Sequence, residues 1–103
     1  MKQYIILYFG GDEPSGPEEG KKHFARYQEW LQGLGDAVLQ PMVPLKHAHT
    51  VQSDGTVAEG SSVAMKGYTV VQADSIDQAL EYARSCPFLE INGTLEVAEI
   101  VQM

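Results

Sequence analysis

A single cysteine, Cys86, is all the thiol chemistry in this 103-residue chain, which excludes an internal disulfide and any Cys-x-x-Cys redox or zinc motif. Its free state suits a reducing compartment. Positive charge is also scarce: 7 Lys and Arg stand against 14 Asp and Glu, a formal charge of −7. Such a surface repels phosphate backbones and anionic lipid, so neither nucleic acid nor a membrane is expected as a partner. The densest basic cluster is only Lys21-Lys22 with Arg26. Long apolar runs are missing too. The strongest, Tyr4 to Phe9, falls far short of the ~20 residues that span a bilayer, and only Lys2 precedes it, without a small-residue cleavage site. A soluble cytoplasmic protein is the expectation. The chain is too short for two independent cores, so residues 1–103 are read as one domain. With 44% hydrophobic and 9% aromatic residues it nonetheless has the material for a packed core.

Lys2 to Phe9 reads as a buried strand that stops at Gly10-Gly11. Ser15-x-x-Glu18 has the spacing of a capping box, and Pro17 suits a first helical turn because its missing N–H would have no helical partner there. The helix that follows runs to about Leu34, with Gly35 as its stop. At about 100° per residue, Phe24, Leu31, Tyr27, Leu34, His23 and Trp30 gather on one side, His23 towards the edge of the stripe. Ala37 to Gln40 reads as a short strand ended by Pro41 and Pro44. His47 to Gln52 is a polar strand that reaches the turn Ser53-Asp54-Gly55, and Val63 to Ala73 a longer one. Ser75-x-x-Gln78 opens a second helix, with Ile76, Ala79, Leu80 and Ala83 on one face and Pro87 as its end. Thr94 to Val101 closes the chain as a strand.

Strand, helix, strands, helix, strand is the order of the split βαββαβ, an α+β ferredoxin-like fold. Right-handed crossovers then put both helices on one face of an antiparallel sheet. The first strand, however, is apolar on both sides: Tyr4, Ile6 and Tyr8 face one way, and Ile5, Leu7 and Phe9 the other. Two helices cover one side only, so a homodimer packed sheet against sheet is expected.

His23 is the residue with the clearest chemical potential, since a histidine exchanges protons near neutral pH. Tyr27 and Trp30, one and two turns on, would form a dry stacking wall beside it. A strand returning from the helix end comes level with His23 near Gln40 to Met42, which makes Met42 a further candidate lining residue. The competing reading has His23 simply filling a helix-to-sheet or dimer seam. Asp36 lies thirteen residues along from His23, about 20 Å on a continuous helix, so a carboxylate partner would come from Glu59, Glu96 or a second subunit. His47-Ala48-His49 would point two imidazoles to one side of a strand, but without thiolates or a third ligand they read as solvent-facing, and neither metal nor cofactor is expected. Gly10-Gly11 with Gly20-Lys21 fails as a phosphate loop: Ser15 stands where glycine is needed, Lys22 where Ser or Thr is needed, and Asp12, Glu13, Glu18 and Glu19 repel the ligand. Cys86, at a helix C-terminus, sits at the wrong end of the dipole to be a thiolate and reads as packing.

Several patterns occur together: Tyr4-Ile5-Ile6-Leu7-Tyr8, the helix Lys22-His23-Phe24-Ala25-Arg26-Tyr27-Gln28-Glu29-Trp30-Leu31, Lys66-Gly67-Tyr68, Ser75-Ile76-Asp77-Gln78-Ala79-Leu80, Cys86-Pro87-Phe88-Leu89 and Asn92-Gly93-Thr94-Leu95-Glu96-Val97. In that order and spacing the chain resembles the YCII-related family over nearly its whole length. The resemblance implies a ferredoxin-like fold that pairs into a dimeric α/β barrel, and places His23 where some relatives have a histidine suspected, with an aspartate, of catalysis. Where relatives carry Asp-Pro after the second helix, this chain has Cys86-Pro87, and the Asp-Gly-Pro-Phe signature of one branch is absent.

Two functions follow as expectations. One is a small dimeric protein that binds or transforms a small organic molecule by acid–base chemistry in a cleft at His23. The other is a non-catalytic binding or assembly module in which the same residues form a seam.

Overall fold

The computed structural model describes residues 1–102. Strand β1 (Lys2–Gly10) leads through a loop to helix α1 (Pro17–Leu34), a short 3-10 turn and strand β2 (Val38–Pro44). Two short strands, β3 (His49–Val51) and β4 (Val57–Glu59), precede β5 (Met65–Ala73), helix α2 (Ile76–Arg84), a 3-10 turn (Pro87–Ile91) and the last strand β6 (Gly93–Glu99). The main sheet has the order β2-β5-β1-β6, with every pairing antiparallel. That is the ferredoxin-like arrangement expected from the element order, with β3 and β4 added as a separate hairpin.

The core fills the space between the two helices and one sheet face. Tyr4, Ile6, Tyr8, Thr69, Val71 and Ala73 point from β1 and β5 into it, and Tyr27, Trp30, Ala79 and Ala83 meet them from the helices. The buried stripe of α1 is centred on Tyr27 and Trp30. Phe24, expected within the stripe, is 63% exposed, because at about 100° per residue it lies roughly 60° round the helix from Tyr27 and roughly 120° from Trp30, off the edge of the buried stripe. Trp30 donates its Nε1–H to the Tyr82 carbonyl at 2.9 Å, which ties α1 to α2 by the one polar atom its indole has to satisfy.

Local chemistry explains where expectation and structure differ. Ser15 does not cap α1: Gly16 is the N-cap and gives no side-chain bond, while Ser15 donates from both its N–H and its hydroxyl to the Glu19 carboxylate. Gly35 does end the helix, with φ 57° and its N–H returned to Leu31 and Gln32, a left-handed position that glycine takes without steric cost. The second cap forms as the spacing requires, Ser75 accepting from the Gln78 N–H at 3.3 Å. Strand β2 runs through Pro41 to Pro44 rather than stopping at it. It is the sheet's edge and its register against β5 slips on either side of Gln40, which is where a residue without an N–H can be accommodated. His47 has φ 56° and lies before β3, so the strand expected from His47 shortens to His49–Val51 and the two imidazoles are not its i, i+2 neighbours.

The face opposite the helices carries Ile5, Leu7 and Phe9 of β1, with Val70 and Tyr68 of β5 directly across from Ile5 and Leu7, and among the described residues no helix lies on it. Among the described residues no helix is long and apolar enough to cross a membrane.

Candidate functional site

Beneath α1 the core becomes polar and aromatic. Tyr8 and Tyr27 stack with ring centroids 6.0 Å apart, Phe88 tilts against Tyr8 at 5.1 Å, and the His23 imidazole meets Tyr27 edge-on at 4.7 Å. The Tyr8 hydroxyl pairs with the Thr69 hydroxyl at 2.7 Å, and the Cys86 thiol, 2% exposed, points at the same Tyr8 oxygen from 4.0 Å. Burial pushes both phenols well above the ordinary tyrosine value, and raises the Cys86 thiol to about 11. At neutral pH the two phenols are therefore uncharged, and Cys86 is a thiol rather than a thiolate, as its helix-end position implies.

Two members of the cluster are unsatisfied. The His23 Nε2 and the Tyr27 hydroxyl are buried without a hydrogen-bond partner, an arrangement that costs about 1–3 kcal/mol per group and that few native polar groups tolerate without a reason. His23 also forms part of the wall of a cleft of about 490 Å³ between the β1–α1 loop, the first turns of α1 and the turn after α2. The mouth is built from charged groups already engaged with one another. Arg26 meets Glu90 at 2.5 Å, Asn92 donates to Asp12 at 2.6 Å, and Glu19 is held by Ser15. Those bonds hold the Glu19 carboxyl below its ordinary range. Lys22 lines the same cleft.

The structure thus brings His23 and Tyr27 together and sets Trp30 beside Tyr27, ring centroids 6.4 Å apart. Trp30 and Met42 do not line the cleft: Trp30 is buried in the helix-to-helix contact, and Met42 packs on the core, its methyl 3.1 Å from where a Cβ on Gly67 would stand. Asp36 lies in the turn beyond the far end of α1, no ion pair joins a carboxylate to His23 among the described residues, and no group of three potential metal ligands forms there. Asp12, Arg26 and Glu90 were not foreseen. Their pairing depends on the turn after α2 folding back to the start of α1, and the only local hint was Asn92 in a left-handed turn position, φ 64°.

No curated protein matches the chain in sequence. Among solved structures the fold is similar to 5-chloro-2-hydroxyhydroquinone dehydrochlorinase from Burkholderia phenoliruptrix AC1100 in complex with 2,5-dihydroxybenzoquinone, with a TM-score of 0.61 and 16% sequence identity over 98% of this chain and 95% of the other. At that identity the likeness establishes the shared fold. The YCII-related domain matches residues 1–103, and the chain belongs to that family.

Proposed function

We propose that this protein binds a small organic molecule in the cleft at His23 and acts on it by proton transfer, as a cytoplasmic homodimer without metal or cofactor. The observation that carries the reading is His23, which lines a cleft large enough for a single-ring ligand and whose buried Nε2, like the Tyr27 hydroxyl packed behind it, has no hydrogen-bond partner. With Nε2 turned inward, Nδ1 is the nitrogen that meets the ligand and gives or takes the proton. The Tyr27 phenol stays protonated and supplies a neutral donor behind it, with Trp30 and Met42 holding that wall in place. The ligand of the structural neighbour, a flat oxygenated ring, is of the size this cleft admits, and a phenol or hydroxyquinone is the class to try first. Homodimerisation is supported by the apolar residues on both sides of β1, and a dimeric barrel is the assembly they favour.

The test is an NMR titration of the whole protein with substituted phenols and dihydroxyquinones. Binding that shifts the His23 and Tyr27 side-chain resonances, and that disappears in His23→Ala, supports the site. Shifts confined to other surfaces, or binding unchanged in His23→Ala, refute it. One observation favours a second reading, a binding module without catalysis: no described carboxylate pairs with His23. Ligand binding with no chemical turnover of any bound phenol or quinone would select it.

A further inference from the structure

The hairpin formed by β3 and β4 pairs only with itself. Its exposed face carries Val51 directly across from Val57, and these are 67% and 65% exposed. A two-stranded hairpin alone in water is marginal, so an ordered one that shows its valines to solvent calls for a surface to lie on. Among the described residues no helix and no strand of the main sheet packs closely on it. The radius of gyration is 14.8 Å against about 13 Å for a compact domain of this length. The molecule measures 43 × 41 × 18 Å, and its shortest dimension is little more than one helix layer on one sheet, about 10 Å between layers plus the ~5 Å width of the helix backbone. The hairpin therefore extends the flat molecule sideways as an arm. Among the described residues it packs closely on neither helix, nor on β1 or β5, whose Ile5, Leu7, Phe9, Tyr68 and Val70 form the open face.

We infer that the occupant of this arm is a second copy of the same chain, so that each protomer clasps the other with its β3–β4 hairpin. The inference rests on the sheet-to-sheet dimer proposed above and is motivated by area. Four strands about 4.8 Å apart and some 25 Å long present an open face of only about 500 Å², whereas a standard stable interface takes about 800 Å² from each partner. At −7 per chain two copies also repel, and apolar surface must offset that repulsion. The arm supplies apolar area at the margin of the sheet, in the plane where a face-to-face partner would overhang.

Sedimentation equilibrium on the full chain tests this with two variants. Val51→Asp with Val57→Asp charges the arm, and Leu7→Lys charges the open face. The expected result is a dimeric wild type, a monomeric Leu7→Lys protein and an arm variant whose dimer dissociation constant rises at least tenfold with the far-UV spectrum of the domain retained. A wild-type dissociation constant in the arm variant, with Leu7→Lys still monomeric, overturns the clasp and leaves the sheet-to-sheet dimer standing. A monomeric wild type overturns both. Should the charged arm unfold, a spin label on Ser53→Cys at the hairpin tip, mixed with isotope-labelled unmodified chain, reads the same point, because Cys86 is too buried to take the label. Broadening of amides of β1 or β5 in the labelled copy supports the clasp; its absence in a dimeric sample refutes it.

Discussion

Tyr8 and Tyr27 stack on one another, yet removing each hydroxyl is expected to move stability in opposite directions. The Tyr8 oxygen bonds to Thr69 at 2.7 Å, and Thr69 is wholly buried. Tyr8→Phe strands the Thr69 hydroxyl in a dry core, a loss of about 1–3 kcal/mol. The Tyr27 hydroxyl lies near the Cys86 thiol but makes no hydrogen bond of ordinary geometry, so Tyr27→Phe deletes a group whose burial is already unfavourable and stabilises by about 1 kcal/mol. For a domain of this size each kcal/mol moves Tm by roughly 4–8 °C. Calorimetry should then show Tyr8→Phe melting lower and Tyr27→Phe melting higher than the parent, with Tyr8→Phe/Thr69→Val recovering most of the loss because both partners become apolar. If Tyr27→Phe melts as low as Tyr8→Phe, the Tyr27 hydroxyl is satisfied in the folded protein and the case for it as a free donor behind His23 fails. Under the proposed function the stabilised Tyr27→Phe protein also binds phenols more weakly, a gain in stability at the expense of function.

Alkaline pH should destabilise the protein from about pH 9 upward. The folded Cys86 thiol ionises only near 11, while in the unfolded chain it ionises near the ordinary thiol value of about 8.5. Above that value the unfolded state sheds the proton and the native state keeps it, so stability is full below the unfolded value and falls as pH rises towards 11, by about 2–3 kcal/mol. Urea midpoints measured from pH 7 to 11 should fall, and less steeply in Cys86→Ala; parallel profiles for the two proteins would show that the thiol is not the group responsible. Trp30→Phe removes the donor to the Tyr82 carbonyl and some indole volume, and should lower stability by about 1–3 kcal/mol in chemical denaturation. An unchanged midpoint would mean that this bond does not hold the two helices together.

Element types followed from local chemistry. Alternating apolar residues of β1, the Gly35 stop and the Ser75–Gln78 cap are each decided within a few residues, so the βαββαβ order could be read in advance. Positions that depend on a neighbour could not. Pro41 ends a strand in isolation, but as part of an edge strand its missing N–H costs nothing in the ladder. His47, which alternation assigned to a strand, takes a left-handed bend at the base of a hairpin.

His23 and Tyr27 were legible as neighbours because four residues along a helix place side chains on one face. Their contacts were not, since the Cys86 thiol, Tyr8 and Thr69 reach the same spot from distant parts of the chain. Trp30 shares that helix face but finds its partner on α2, and Met42 is drawn to the core over Gly67, so helical spacing overstated how much of the stripe opens to the cleft. Sequence alone determined the two long helices and the strands of the main sheet in their order, though not β4 (Val57–Glu59), and that both sides of β1 are apolar, because those properties repeat with the backbone's own period. Only the tertiary structure decided which buried hydroxyl finds a partner and which does not, because hydrogen bonds in a dry interior depend on groups brought together from far along the chain.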